Sequence, residues 1–352
     1  KKFINMINTY SNSKKIVPKI LFISCDIPYV GGAATNTYNL IKELNTSCET
    51  YGLFVSNLDK NLNPDNIDNI YQLKIDNNIE ENFVKLLKSI DVNICFFKNY
   101  KIYSYLAHLI TDKIKIFSPS GLRFITSYIS KTKKFYKDIN HKIIMKNIKN
   151  KSIIYDQKKN ILDFIKNNDQ YLENYVFNDC DYILPNSSIT YDLIKKYNNF
   201  SHLLNPIYLT NINYNKFNIP FDSKTIDLVF IAYDWKRECK NYNLVKELLN
   251  SKHIVKLNIV SIGKNQIPYS KILQYDNLNK TDLNNILKKT KTVVIPSYYD
   301  SNPNVLIEAV SYNCNIVTSS NVGNSEFISK ELLVNKYNDQ KEWRKKNLFK
   351  FN

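Results

Sequence analysis

The sequence predicts an α/β chain folded as two doubly wound halves, and three observations predict it. Continuous apolar runs rich in β-branched residues alternate with amphipathic segments of helical period. The alternation stops in a polar, irregular stretch at 208–224 and then begins again. The length of 352 residues suits two domains, and a hydrophobic fraction of 43% suffices for packed cores.

The elements follow in order. Residues 1–17 are polar and mixed, and read as a loose arm before a first domain at 18–207. Its first strand is the buried run at 19–24, followed by the turn Pro28-Tyr-Val-Gly-Gly32 and a helix over 36–44. Strands are expected at 51–55, 92–97, 115–117 and 182–184, with helices at 79–89 and 188–196. The stretch 208–224 is the linker to a second domain at 225–352. There the pattern predicts strands at 226–232, 255–262, 292–296 and 315–318 and helices at 242–250, 280–289 and 303–312. The expectation is two Rossmann-like domains facing each other across a cleft, with ligands at the carboxyl ends of the strands.

Composition narrows the classes of function. The formal charge of +17 suits an anionic membrane surface, nucleic acid or phosphorylated small molecules, and equally reflects a lysine-rich coding bias. Clustered aromatic and basic signatures of nucleic-acid readers are missing, so no specific nucleic acid is expected. The six cysteines are scattered without CxxC or metal-ligand spacing, which argues for a reducing compartment and against a disulfide framework. No apolar stretch is long enough to span a bilayer. The segment from Lys131 to Lys151, with Phe135, Ile139, Ile143 and Ile144 at helical spacing, reads either as a solvated helix face or as a peripheral contact with an anionic membrane. A cytoplasmic protein, at the cytoplasmic face of a membrane if that contact is real, is the resulting expectation. Asp179-Cys-Asp181 is a DxD triplet of the kind that can hold a metal with a nucleotide, but it abuts a strand and reads as a chance turn.

The chemistry concentrates in the segment from Val293 to Ala309. A buried strand runs out at Pro296, a loop carries Asp300 and Ser301, and Asn302 followed by Pro303 reads as a helix N-cap and first helical residue. Backbone N–H groups of the first turn, at Asn304 and Val305, together with the helix dipole, make an anion site suited to a diphosphate. Glu308 lies further along the helix, placed to accept hydrogen bonds from a ribose diol. Lys236, Arg237 and Lys240 form a cluster of cations directly after the second domain's first strand.

The pattern Pro296-Ser297, Asp300, Glu308-Ala309 resembles the donor-binding signature of retaining GT-B glycosyltransferases of family 4. The family has Glu where this chain has Asp300. Asn321-Val-Gly-Asn-Ser-Glu326 is similar to the family's glycine loop and following Glu, Pro28 to Gly32 to its first-domain glycine loop, and Asp181 to Ser187 to the last strand of that domain. The resemblance covers about Lys19 to Ile328 and is strongest in the second half. It implies a first domain on the acceptor side and a second that holds the donor. It implies retaining transfer of a sugar from a UDP- or GDP-sugar to a hydroxyl acceptor on a glycan, lipid or protein. No cofactor and no metal are expected, the nucleotide sugar being a substrate. Arg237, Lys240 and Asp300 become the catalytic candidates. Gly31, Gly32, Lys236, Ser301, Asn302, Pro303, Asn304, Val305 and Glu308 become the donor-binding ones.

Two departures keep other readings open. The glycine before the family's cations is absent. The family's first-domain His is also absent from Phe117-Ser-Pro-Ser-Gly-Leu-Arg123, which leaves Ser118, Ser120 or Arg123 to substitute. None of His108, His141, His202 and His253 matches a catalytic place. The alternatives are a catalytically silent nucleotide-binding protein of the same fold, a basic nucleic-acid-binding α/β protein, and an epimerase or phosphorylase that shares the fold.

Overall fold

The computed structural model describes residues 17–28, 32–58, 65–122, 172–197, 201–206, 219–251, 256–276, 278–334 and 340–345. These fall into two compact units, one ending at 206 and one beginning at 219. The loose arm up to residue 16, Tyr29 to Gly31, Arg123, the basic stretch from Lys131 to Lys151, most of the linker, His141 and His253 lie outside the described residues.

The first unit is built on a six-stranded parallel sheet in the order β3-β2-β1-β4-β5-β6. Its strands are β1 (Lys19–Cys25), β2 (Glu49–Val55), β3 (Ile70–Leu73), β4 (Ile94–Phe97), β5 (Ile114–Phe117) and β6 (Tyr182–Ile183). The helices are α1 (Gly32–Leu44), α2 (Ile79–Ser89), α3 (Tyr100–Leu106), α4 (Leu172–Asp179) and α5 (Ser188–Tyr197). Ile20, Leu21, Phe22 and Ile23 are all fully buried, so successive side chains are covered on both faces of β1. Helix α1 packs Ala34, Tyr38, Ile41 and Leu44 into that core. Its close approach requires Gly52 opposite Phe22, where a Cβ would sit 2.8 Å from Ile41 and 2.6 Å from Ile70. Each fully buried Ile, Leu or Phe contributes about 1.5–3 kcal/mol over an exposed one.

The second unit repeats the plan in the order β12-β11-β10-β7-β8-β9, with every pairing parallel. Its strands are β7 (Ile226–Asp234), β8 (Ile259–Lys264), β9 (Leu273–Tyr275), β10 (Thr290–Ile295), β11 (Asn315–Ser319) and β12 (Leu333–Val334). Its helices are α6 (Tyr242–Leu249), α7 (Lys280–Lys288), α8 (Asn304–Ser311) and α9 (Gln340–Lys345). The two Rossmann-like sheets expected from the sequence are therefore both present. In each, the strand order reverses at the centre, between β1 and β4 and between β7 and β10. Such switch points open a crevice at the carboxyl ends of the strands.

Many boundaries differ from the sequence reading by a residue or two, and three differences stand out. Helix α1 begins at Gly32 rather than at 36, and within it Thr37 donates its hydroxyl to the Ala33 carbonyl. The strand expected from 255 begins at Ile259. Pro303 is the cap of α8 rather than its first residue. Its φ of −71° and ψ of 119° are extended, while its carbonyl accepts the Leu306 amide at 3.0 Å. Asn302 consequently does not cap the helix.

Among the described residues no helix is long and apolar enough to cross a membrane. All six cysteines are free thiols.

Candidate donor site at the carboxyl edge of the second sheet

The site begins where β7 ends. Asp234 Oδ1 accepts the Lys236 amide at 2.9 Å and the Asn265 side-chain amide at 2.8 Å, fixing a turn between the ends of β7 and β8. Those bonds, Asn265 first, hold the Asp234 carboxyl below the usual range. Trp235 turns inward, 3% exposed, against the Tyr242 ring at 5.1 Å. Gly263 permits this: its φ is +140°, and a Cβ there would lie 2.0 Å from the Ala232 carbonyl oxygen and 2.8 Å from the indole nitrogen. With Trp235 anchored inside, Lys236 and Arg237 are exposed. Neither pairs with a carboxylate among the described residues.

The next turn, at 238–240, is stapled to the exit of β10. The Tyr298 amide donates to the Cys239 carbonyl at 2.8 Å, and the buried Asn241 side chain donates to the Pro296 carbonyl at 3.1 Å. This staple brings Lys240 against Asp300 in an ion pair, with both side chains largely buried. Asp300 is held in turn by the glycine loop. Its amide donates to the Asn321 carbonyl at 3.3 Å, and its carbonyl accepts the Gly323 amide at 2.7 Å. Asn302 accepts from the Asn324 side chain at 2.7 Å instead of capping α8, and Ser301 is buried beneath. Among the described residues no side chain caps the start of α8, so the amides of Asn304 and Val305 meet no side-chain acceptor there.

Glu308 sits one turn into α8, where Lys280 at the start of α7 pairs with it. The pair is half exposed, so a diol reaching Glu308 has only a flexible ammonium to displace. The structure thus gathers Lys236, Arg237, Lys240, Asp300, Ser301, Asn302, Pro303, Asn304 and Val305 at the carboxyl ends of β7 and β10, with Glu308 on the helix that follows. Sequence reasoning missed Asp234, Asn265, Lys280 and Asn324. Their side-chain partners lie between 22 and 31 residues away, and nothing local in the sequence signals such pairings.

In the first unit, Gly32 is the exposed first residue of α1, and Gly31 lies outside the described residues. The DxD triplet is structural. Asp179 accepts from Tyr103 at 2.7 Å and Lys115 at 2.9 Å, and Asp181 accepts the Lys115 amide at 2.7 Å. His202 bonds to the Phe177 carbonyl at 2.8 Å.

No protein-family model matches the chain, and no curated protein matches it by sequence. Solved structures match it closely in fold. Sucrose-phosphate synthase from Thermosynechococcus elongatus aligns with a TM-score of 0.60 at 13% identity, over 92% of this chain and 87% of that one. An α-glucosyltransferase in complex with UDP and a 13-mer DNA aligns at 0.57 and 9% identity, over 95% and 90%. A putative UDP-N-acetylglucosamine 2-epimerase from Listeria monocytogenes aligns at 0.54 and 13% identity, over 95% and 87%. The chain therefore has the fold of the GT-B glycosyltransferases, two Rossmann-like domains, at a level of sequence identity where fold alone is shared.

Proposed function

We propose that the protein transfers a sugar from a nucleotide-sugar donor to a hydroxyl acceptor, with retention and without a metal. The observation that carries this reading is the cation array at the end of β7. Lys236 and Arg237 are exposed and not paired with a described carboxylate, Lys240 is locked in place by Asp300, and the uncapped start of α8 lies on the strand next in the sheet. As the glycosidic bond to the donor breaks, negative charge builds on the departing diphosphate. Arg237 and Lys236 are free to meet that charge, and the amides of Asn304 and Val305 add oriented dipoles. Lys240 does so less freely, being shared with Asp300. In a retaining transfer the acceptor hydroxyl attacks from the face the diphosphate leaves, and its proton passes to that leaving group. Glu308 accepts from the ribose hydroxyls and positions the donor. UDP is the first nucleotide to test, since the α-glucosyltransferase of like fold was solved with it.

An epimerase of like fold makes simple nucleotide binding insufficient proof. The deciding experiment incubates the protein with UDP-glucose, UDP-N-acetylglucosamine and GDP-mannose without metal and follows release of nucleoside diphosphate with the sugar's anomeric configuration. Slow hydrolysis with retention, abolished in Arg237→Ala, is the expected result. Inversion, or turnover equal in Arg237→Ala and wild type, refutes the proposal.

A further inference from the structure

At the switch point of the first sheet stands a buried charge that no carboxylate among the described residues neutralises. Lys98 directly follows β4, and its amide continues the ladder by donating to the Ile23 carbonyl of β1 at 3.0 Å. Ser118 directly follows β5 in the same way, donating to the Phe97 carbonyl at 2.8 Å. Both residues stand at the carboxyl ends of adjacent central strands, where open α/β sheets place ligands. Lys98 is 8% exposed. Its ammonium donates to Ser118 Oγ at 2.9 Å and lies 5.7 Å from the centre of the Phe96 ring. No carboxylate pairs with it among the described residues, and burial alone pushes the ammonium down to about 8.

A buried ammonium normally gains a carboxylate or a set of carbonyls that offsets its desolvation. Among the described residues Lys98 has one hydroxyl and the face of the Phe96 ring. Two of its three N–H donors are left over, and Ser118, which accepts from Lys98, keeps its own O–H to donate. Two lysine N–H donors, the Ser118 O–H and a positive charge are thus left at the ends of two neighbouring strands, a set able to serve the oxygens of a tetrahedral dianion.

We infer that Lys98 and Ser118 form a phosphate-binding site in the first unit, separate from the donor cations of the second unit, that receives a phosphate group carried by the acceptor. The naming of the acceptor rests on the transferase reading; the phosphate site itself does not. The site also accounts for Ser118 in the segment that lacks the family's His: its hydroxyl serves the lysine rather than replacing an imidazole.

The test follows thermal unfolding of wild type, Lys98→Met and Ser118→Ala while inorganic phosphate is titrated at constant ionic strength, with UDP saturating so that the second unit's cations are occupied. Wild type should gain a saturable rise of several degrees at about a hundred times the dissociation constant. Lys98→Met, which keeps the apolar stem, should show none, and Ser118→Ala should bind phosphate roughly fivefold more weakly. Acetate should give a smaller shift than phosphate in wild type. A wild type indifferent to phosphate, or a Lys98→Met variant that responds as wild type does, overturns the inference; an acetate shift as large as the phosphate shift overturns the phosphate assignment. If Lys98→Met does not fold, an unchanged phosphate affinity in Ser118→Ala is enough to overturn it. UDP alone is titrated in parallel. A missing UDP response beside an intact phosphate response removes the transferase reading and leaves the phosphate site standing.

Discussion

The two edges of the second sheet handle charge in opposite ways. At the amino edge Lys224 and Lys291 are satisfied within the fold. Buried Lys224 donates to the carbonyls of Thr290, Tyr312 and Asn313 at 2.7–2.8 Å, tying β7, β10 and the end of α8 together. Lys291 pairs with Asp227 at 2.9 Å, and Asp227 also accepts the Asn258 amide at 2.9 Å. At the carboxyl edge Lys236 and Arg237 stand exposed, Lys240 is held in place by Asp300, and α8 starts uncapped. Charge consumed by the chain's own carbonyls and carboxylates stabilises the fold. Charge left exposed without a carboxylate, as at Lys236 and Arg237, is available to a ligand. Substitutions at the two edges should therefore separate stability from activity.

The largest effect belongs to the carboxyl edge. Arg237→Ala should lower turnover about 10²–10³-fold, the range for removing one group that stabilises transition-state charge, while the unfolding temperature stays as in wild type. Lys224→Ala should do the reverse. It strands the buried carbonyls of Thr290 and Tyr312 and the part-buried one of Asn313, costing about 3 kcal/mol, seen as a lower urea midpoint at unchanged slope, while the folded fraction binds nucleotide normally. A Lys224→Ala protein of full stability and impaired turnover would erase the distinction between the edges.

Lys98 sharpens the comparison, because it is buried like Lys224 without the carbonyls. Its folded pKa of about 8 lies below the ordinary lysine value of 10.5. The unfolded chain therefore holds the proton more tightly. The penalty is fully present below pH 8 and is shed as pH rises from 8 towards 10.5, so stability from this group increases with pH across that window. The span corresponds to about 3 kcal/mol. Wild-type stability relative to Lys98→Met should climb by about that amount between pH 7.5 and 10.5, read from urea midpoints in the absence of phosphate. A flat difference contradicts the assignment of an unpaired buried ammonium.

The smallest effect is at the half-exposed pair of Lys280 and Glu308. Lys280→Ala should change stability by less than about 1 kcal/mol and tighten nucleotide binding about twofold, since the ribose no longer competes with an ammonium. Calorimetric titration with UDP reads this directly, and weaker binding would mean that Lys280 itself holds the nucleotide.

Much of this architecture was legible in the sequence, for a physical reason. Strands such as β1 and β10 are buried on both faces, so their apolar runs are continuous, and α2 has the helical period that marks Ile79–Ser89 without error. Edge elements were not legible. Strand β3 is only half buried, β9 is mostly exposed, and β12 has two residues, so none needs an apolar run. Helix α3 is short and set by Asn99, whose side chain accepts the amides of Lys101 and Ile102. In the donor site, the segment from Pro296 to Glu308 was readable because loop, helix start and carboxylate are adjacent in the chain. The pairing of Lys240 with Asp300 joins residues 60 positions apart and emerges only from the parallel pairing of β7 with β10. Lys98 carried one local sign, a lysine abutting a strand-like apolar run, but its isolation is a property of the folded sheet alone.

The central claim is that the carboxyl edge of the second sheet binds a nucleoside diphosphate through its cations, the start of α8 and Glu308. Thermal unfolding with UDP, GDP and ADP, without metal, on wild type and Glu308→Ala tests it most directly. Binding at a hundred times the dissociation constant adds about 2.7 kcal/mol, several degrees for a chain of this size. One nucleotide should raise the unfolding temperature of wild type and fail to do so in Glu308→Ala. No shift with any of the three, or an equal shift in both proteins, would contradict it.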